Sequence, residues 1–355
     1  MVAHEKIKPE KWAQVAAALT ERELVVPLLF TKKGVGDFKG ARDDTLNMRV
    51  PGVLPAHSYG WRNDRAQEMI VDAYKERKVA VTFGGDAYSA TELTDEQYEF
   101  DFDNWSETLL PAQAKAVARK LEYEAVDKLV GANYSVEVGA KPENLVNDIV
   151  EARRALNLMG APKTGRTLLV GSDWDTYLQT MDEVNHANMA GDVAAQSAFQ
   201  DALIGKIKGF NIVVSDELPS DEAYALTDSA FVFLNAAPHV PDSVVGGTAV
   251  SERGIAMRWL KDYETLRSRE RSVMNTWYGI NQVKDPAVYW DKTNTTEVVS
   301  ESEYNLRAVK LKLGGTDAYF TKASNTGDAA KVKKALGLEK RSAATTYKAP
   351  STAGH

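Results

Sequence analysis

The sequence predicts a mixed α+β protein, on three observations. Apolar residues recur at helical spacing behind prolines 111 and 142. Short runs elsewhere alternate, or are apolar throughout, in the manner of strands. Two strand-like arms near the N-terminus enclose about 25 residues with no core of their own. Composition agrees: the 355 residues are 44% hydrophobic and 26% charged, which excludes a mostly disordered or fibrous chain. At this length about two or three domain-sized units are expected. Cysteine is absent, so disulfides, thiol nucleophiles and thiolate metal sites are excluded. No apolar run reaches the ~20 residues that span a membrane, and no secretory signal is expected at the N-terminus.

In chain order, Pro9 suits a first helical turn, and Trp12, Val15, Ala16 and Leu19 follow on one face. Glycines at 34, 36 and 40 mark residues 31–40 as a break. Residues 44–50 alternate like a strand and stop at Pro51-Gly52; residues 78–83 do the same and stop at Gly84-Gly85. Together they read as the arms of a long hairpin, which must rest on another surface because a lone two-stranded ribbon is marginal in water. Tyr98, Phe100 and Phe102 alternate with acids as a further strand. Pro111 opens a long helix with Ala114, Val117, Ala118, Leu121, Ala125 and Leu129 on one stripe, stopped by Gly131. Pro142 opens another, with Leu145, Ile149, Ala152 and Leu156 inward, ending near Gly160. Beyond it, strands are expected at 167–170, 207–214, 230–234, 255–260 and 277–283, a helix at 173–182 and a loop at 184–198. Val309, Leu311 and Leu313 alternate with Lys310 and Lys312 as a half-buried strand. A short helix at 328–337 precedes a tail rich in Ser, Thr and Ala.

The search for chemistry is largely negative. Residues 160–167 approximate a phosphate-cradling loop, but Arg166 stands where the lysine belongs, and the loop follows a helix and precedes a strand, the reverse of a working one. It reads as a helix stop and turn. Gly34, Gly36 and Gly40 lack the spacing of a dinucleotide fingerprint. Asp101/Asp103 and Asp173/Asp175 are paired acids without a third ligand, and read as capping or surface. The five histidines (4, 57, 186, 239 and 355) are scattered. No catalytic residue, cofactor or metal ligand is expected.

Charge is uneven. Residues 1–42 carry 8 basic and 5 acidic groups, a net of +3; residues 304–355 carry 10 and 3, a net of +7. Residues 43–303, with 25 basic and 42 acidic groups, have a net of −17 inside an overall −7. An acidic body with basic ends suggests ends that meet something anionic, against the alternative of solvated lysine-rich tails.

Several stretches, in their shared order and spacing, carry a family likeness: Val25 to Phe30; Gly40 to Pro51; Leu93-Thr-Asp-Glu leading toward the Pro111 helix; Gly165 to Gly171; Gly205 to Ser215; and Met257 to Tyr263 through Tyr278-Gly279. Over residues 9–297 the chain resembles major capsid proteins of tailed double-stranded DNA bacteriophages with the Hong Kong 97 fold, of the scaffold-dependent type. The resemblance implies an N-terminal arm (1–35) and an extended β-hairpin loop (36–85). It implies a peripheral domain (86–140 with 250–284) carrying a long spine helix, and an axial α/β domain (141–249 with 285–297). Residues 298–355 form a C-terminal extension beyond the usual ending. The implied function is structural, not enzymatic: self-assembly into an icosahedral head around double-stranded DNA, in the virion, after assembly in the host cytoplasm. Implied partners are the chain itself as pentamers and hexamers, a separate scaffolding protein, a portal and DNA, with no membrane. A helix starting near Met1 implies no fused scaffold domain, or cleavage before this numbering. No Lys–Asn cross-link is expected.

Candidate subunit contacts are Trp61, Arg62, Asp64 and Arg65 near the loop tip. Candidate non-specific DNA contacts are Lys331, Lys333, Lys334 and Lys340, provided that the C-terminus faces the interior. Outside, it would instead meet a decoration protein or adjacent capsomers. Two rival readings are an encapsulin-like nanocompartment shell and a nucleotide-dependent enzyme using 160–167.

Overall fold

The computed structural model describes residues 24–34, 45–50, 52–59, 68–74, 76–95, 105–180, 206–242, 244, 246–252, 255–291, 296–320 and 328–338. The Pro9 helix, the Tyr98–Phe102 strand, Asp101/Asp103 and the 184–198 loop lie outside these residues.

The described chain begins with a 3-10 turn (Pro27–Leu29) and β1 (Thr31–Lys33), so the expected break starts later than residue 31. Next come β2 (Thr45–Val50), β3 (Arg77–Thr82), β4 (Gly85–Thr94), helix α1 (Trp105–Val130) and β5 (Val136–Ala140). A 3-10 turn (Pro142–Asn144) opens α2 (Leu145–Leu158), followed by β6 (Arg166–Val170) and α3 (Ser172–Thr180). Then come β7 (Lys206–Ile207), β8 (Phe210–Val214), β9 (Glu222–Thr227), β10 (Phe231–Ala236) and β11 (Gly246–Glu252). The chain continues through β12 (Ile255–Glu264), β13 (Arg269–Gln282), β14 (Asp285–Asp291), β15 (Thr296–Tyr304), β16 (Ala308–Leu313), β17 (Ala318–Tyr319) and α4 (Ala329–Leu336).

Two details depart from the sequence reading. Pro111 lies in the second turn of α1 instead of opening it, so the helix forgoes the bond from that position to the carbonyl four residues back. The run 207–214 is not one strand. It folds into the β7–β8 hairpin because Lys208 (φ 47) and Gly209 (φ 91) both take left-handed backbone, as a tight turn requires.

The strands form two main sheets. In the six-stranded sheet, the long β13 pairs with β12 over 269–275, with β10 over 277–282, and with β4 over 269–278; β11 extends β12, and β1 joins β10 in parallel. Helix α1 covers one face, placing Ala114, Val117, Ala118, Leu121, Ala125 and Leu129 in a core with Met257, Met274, Phe231 and Phe233. Phe30 stacks on Phe231 with centroids 4.9 Å apart.

The seven-stranded sheet runs β17-β5-β16-β9-β6-β8-β7. Its β6 and β9 are buried at every position, and α2 supplies Leu145, Ile149, Ala152 and Leu156 to its core. β16 lies between β5 and β9, parallel to the first and antiparallel to the second. β16 is therefore central to this sheet while β17 forms its edge, and α4 packs its buried Ala329 and Val332 into the same core. Two hairpins, β2–β3 and β14–β15, stand as separate ribbons.

Candidate assembly surface

The expected hairpin arms at 44–50 and 78–83 pair antiparallel, from Thr45 opposite Thr82 to Val50 opposite Arg77. Between them, residues 52–59 and 68–74 have neither helix nor strand. Their apolar side chains face water: Met69 is 64% exposed, Ile70 66% and Val71 91%, with Val53, Leu54 and Tyr74 also exposed. Single exposed apolar residues are ordinary, but six within two short neighbouring runs mark a surface built to be covered. Polar contacts hold the two runs together. Tyr74 accepts the Gly52 N–H at 3.2 Å, and His57 Nε2 lies 2.7 Å from an Asp72 oxygen. The loop also touches the β14–β15 ribbon, where Glu297 accepts the Ala56 N–H at 3.1 Å beside the half-exposed Trp290. The tip residues Trp61, Arg62, Asp64 and Arg65 lie outside the described residues. The run at 69–71 was the overlooked signal: three consecutive apolar residues in a segment without periodicity.

The arm is clasped to the body. Glu122 of α1, 4% exposed, accepts the N–H groups of Val25 and Val26 at 3.0 Å each. Burial raises the carboxyl above its usual range, and these two N–H donors only partly oppose it. A second buried acid, Glu222 of β9, faces the C-terminal strand. Lys310 lies at 2.7 Å, Lys312 at 3.1 Å, and the Tyr224 hydroxyl also donates to it. Burial opposes its ionisation, yet these three donors together hold Glu222 below the usual range. Arg307 likewise pairs with Asp285. Thus Arg307, Lys310 and Lys312, which the sequence places in a basic tail, are paired with acids of the fold, Lys312 at its surface.

Lys331, Lys333 and Lys334 sit together on α4, with Lys331 and Lys334 exposed; Lys340 lies outside the described residues. Asp328 at the head of this helix accepts the Tyr304 hydroxyl at 2.6 Å, and burial with that bond pushes Tyr304 up to about 12. The 160–167 loop has the geometry of a turn. Gly160 and Gly165 take left-handed backbone, and Arg166 is buried beneath the loop, donating to the carbonyls of Pro162 and Ala161 at 2.6 and 2.9 Å. Asp173 and Asp175 fall in the first turn of α3, where acids suit the helix dipole, and Asp173 accepts Ser220 Oγ at 2.7 Å. Among the described residues no group of three His, Cys, Asp or Glu side chains is placed to hold a metal ion, and no helix is long and apolar enough to cross a membrane.

Two packed sheets, a long covering helix and a loop whose apolar residues have no cover of their own define a shell-forming protein. The comparisons agree. A family of phage capsid proteins matches residues 80–281. The chain belongs to this family, and it is a structural, shell-forming major capsid protein of phage heads, located in the virion capsid. No curated protein matches the sequence. Solved structures share the fold. One is from Mycobacterium phage Che8, at 14% identity over 89% of this chain and 96% of that one, with a TM-score of 0.54. Another is the capsid structure of Cyanophage P-SCSP1u, at 10% identity over 81% and 87%, with a TM-score of 0.55. A third is the mature capsid of bacteriophage PhiM1, at 12% identity over 82% and 88%, with a TM-score of 0.52.

Proposed function

We propose that the chain assembles as pentamers and hexamers into an icosahedral head around double-stranded DNA, and that the 36–85 loop of each copy is covered by a neighbour. The exposure of Met69, Ile70 and Val71 carries this reading, because an apolar run of this kind stays in water unless a second surface covers it. Arg62 and Arg65 pair with acids of that neighbour, on its net −17 body. The chain acts with a separate scaffolding protein and a portal, assembles in the host cytoplasm and catalyses no reaction. Lys331, Lys333, Lys334 and Lys340 meet DNA non-specifically.

The proposed division is an N-terminal arm (1–35), the loop, a peripheral domain (86–140 with 250–284) and an axial domain (141–249 with 285–297). Sheet membership supports moving three edges. β5 and β16 go with the axial sheet, β10 goes with the peripheral one, and the extension from 298 supplies axial core.

Electron microscopy of the purified protein tests the reading. Wild type forms closed shells that contain DNA when made during infection. Ile70→Ser/Val71→Ser leaves folded subunits that do not close. Shells from this variant as abundant and heat-resistant as wild type would remove the loop from the interface, as would unaltered shells from Arg62→Glu/Arg65→Glu. Shells filled with an enzyme in place of DNA would instead identify a nanocompartment.

A further inference from the structure

One end of the seven-stranded sheet gathers positive charge from three elements far apart in sequence. Arg153, on the exposed side of α2, donates to the Lys208 carbonyl in the β7–β8 turn at 2.7 Å. The next residue, Arg154, donates to the Gly337 carbonyl just past α4 at 3.4 Å, and pairs with Glu151 at 2.5 Å. The arginines thus tie α2, the turn and α4 into one surface. Arg153, Lys206, Lys208, Lys331 and Lys334 are all exposed, and none has an ion-pair partner among the described residues. Beneath this surface the charge of Arg166 is disfavoured first by burial and then by Arg153. Asp228 lies beside Gly165 at the same end, but touches none of these five.

The body as a whole is acidic, and several of its cations are matched in pairs, as in Lys261–Glu270, Arg269–Glu92 and Arg271–Asp262, whereas the five of the seam are not. Unmatched like charges held together repel one another, and an anion relieves that repulsion. The surface also lacks what a protein partner would need. Val150 is the exposed large apolar side chain on α2, whereas the exposed apolar cluster is on the loop. With Arg and Lys but no exposed aromatic among them, the contact is to backbone phosphates and not to bases.

We propose that this seam, formed by α2, the β7–β8 turn and α4, binds the phosphate backbone of double-stranded DNA without reading sequence. The inference rests on the reading of the chain as a DNA-enclosing shell protein, and extends the contact from the α4 lysines to Arg153, Lys206 and Lys208. It also orients the subunit, because the seam must then face the interior.

The test uses full-length subunits from dissociated shells and a labelled short DNA duplex, with affinity followed by fluorescence anisotropy across a salt series. Arg153→Ala/Lys208→Ala lowers the slope of log affinity against log salt by about 2, since each lost phosphate contact removes about 0.9. Lys331→Ala/Lys334→Ala does the same independently, so the inference does not depend on one variant folding. Unchanged slopes in both would overturn it. So would competition by poly-glutamate as effective as that by unlabelled duplex at equal charge, which marks a site for an acidic protein. Variants that still form shells but keep the wild-type slope remove only this site. Wild-type protein that forms no shells removes the underlying reading too.

Discussion

The two main sheets solve burial differently. In the seven-stranded sheet, β6 and β9 are closed on both faces, and even the charged residues of β16 find Glu222 and Asp221 opposite them. The six-stranded sheet is closed by α1 on one face and only in part on the other, where Val79 and Val81 of β3 pack against Val232 and Leu234 of β10. α1 covers the inner positions, while Tyr88 and Trp277 stand 70% and 43% exposed on the other side. A self-sufficient sheet contributes stability to the subunit. A sheet with a partly open face and a neighbouring loop of exposed apolar residues leaves surface that, under the proposed function, other copies cover. Under the proposed function, stability and assembly draw on different parts of the subunit, and substitutions should separate them.

The largest loss of subunit stability is expected in the closed sheet. Lys310→Met leaves Glu222 with Lys312 and Tyr224 alone, and breaking a buried pair on one side costs about 3–5 kcal/mol. Urea unfolding of subunits measures this, and a loss under 1 kcal/mol would show that the sheet does not depend on its ion cluster. Leu121→Ala, in the wholly buried stripe of α1, costs about 2–5 kcal/mol by the same measurement. Glu122→Ala leaves the N–H groups of Val25 and Val26 without an acceptor, at about 1–3 kcal/mol. Its signature is local: protease cuts the chain within residues 24–33 while the rest stays intact. The smallest change in subunit stability, within about 0.5 kcal/mol, belongs to Ile70→Ser/Val71→Ser, although that pair abolishes shells. A large fall in its unfolding free energy would erase that distinction.

The two buried glutamates sharpen the comparison by responding to acid in opposite directions. Glu222 titrates below its unfolded value, so its contribution is present above about pH 4.3 and is lost as pH falls through the lower folded value. Glu122 titrates above its unfolded value, so the folded state gains relative stability as pH falls toward that range. Hydrogen exchange on going from neutral to mildly acidic solution should slow in residues 24–33, while β9 and β16 loosen only at lower pH. Parallel responses of both segments would contradict this.

How much of this was legible depended on whether a signal was local. The stripe of α1, the stripe of α2 and the β2–β3 arms follow from spacing alone, and each lies where periodicity places it. β9 did not show, because its Glu222 reads as polar until Lys310 and Lys312 arrive from some ninety residues away. The same lysines read as solvent-facing for the converse reason. β4, with Asp86, Tyr88, Ala90 and Glu92 on its exposed side, carries too little apolar pattern on one face to announce itself. The candidate interface was placed at the loop tip from charged and aromatic residues, whereas the exposed apolar run lies nearer the base.

The position of β16 has a consequence for when the subunit becomes usable. β5 finds its parallel partner only at Lys310, 173 residues beyond Glu137, and β9 meets the opposite edge of that same strand. Until the last fifth of the chain has left the ribosome, β5 and β9 have an empty slot between them, and a chain cut short there has no complete axial core. A chain ending before β16 therefore lacks the strand that joins β5 to β9, and late completion of this sheet follows from its high sequence separation.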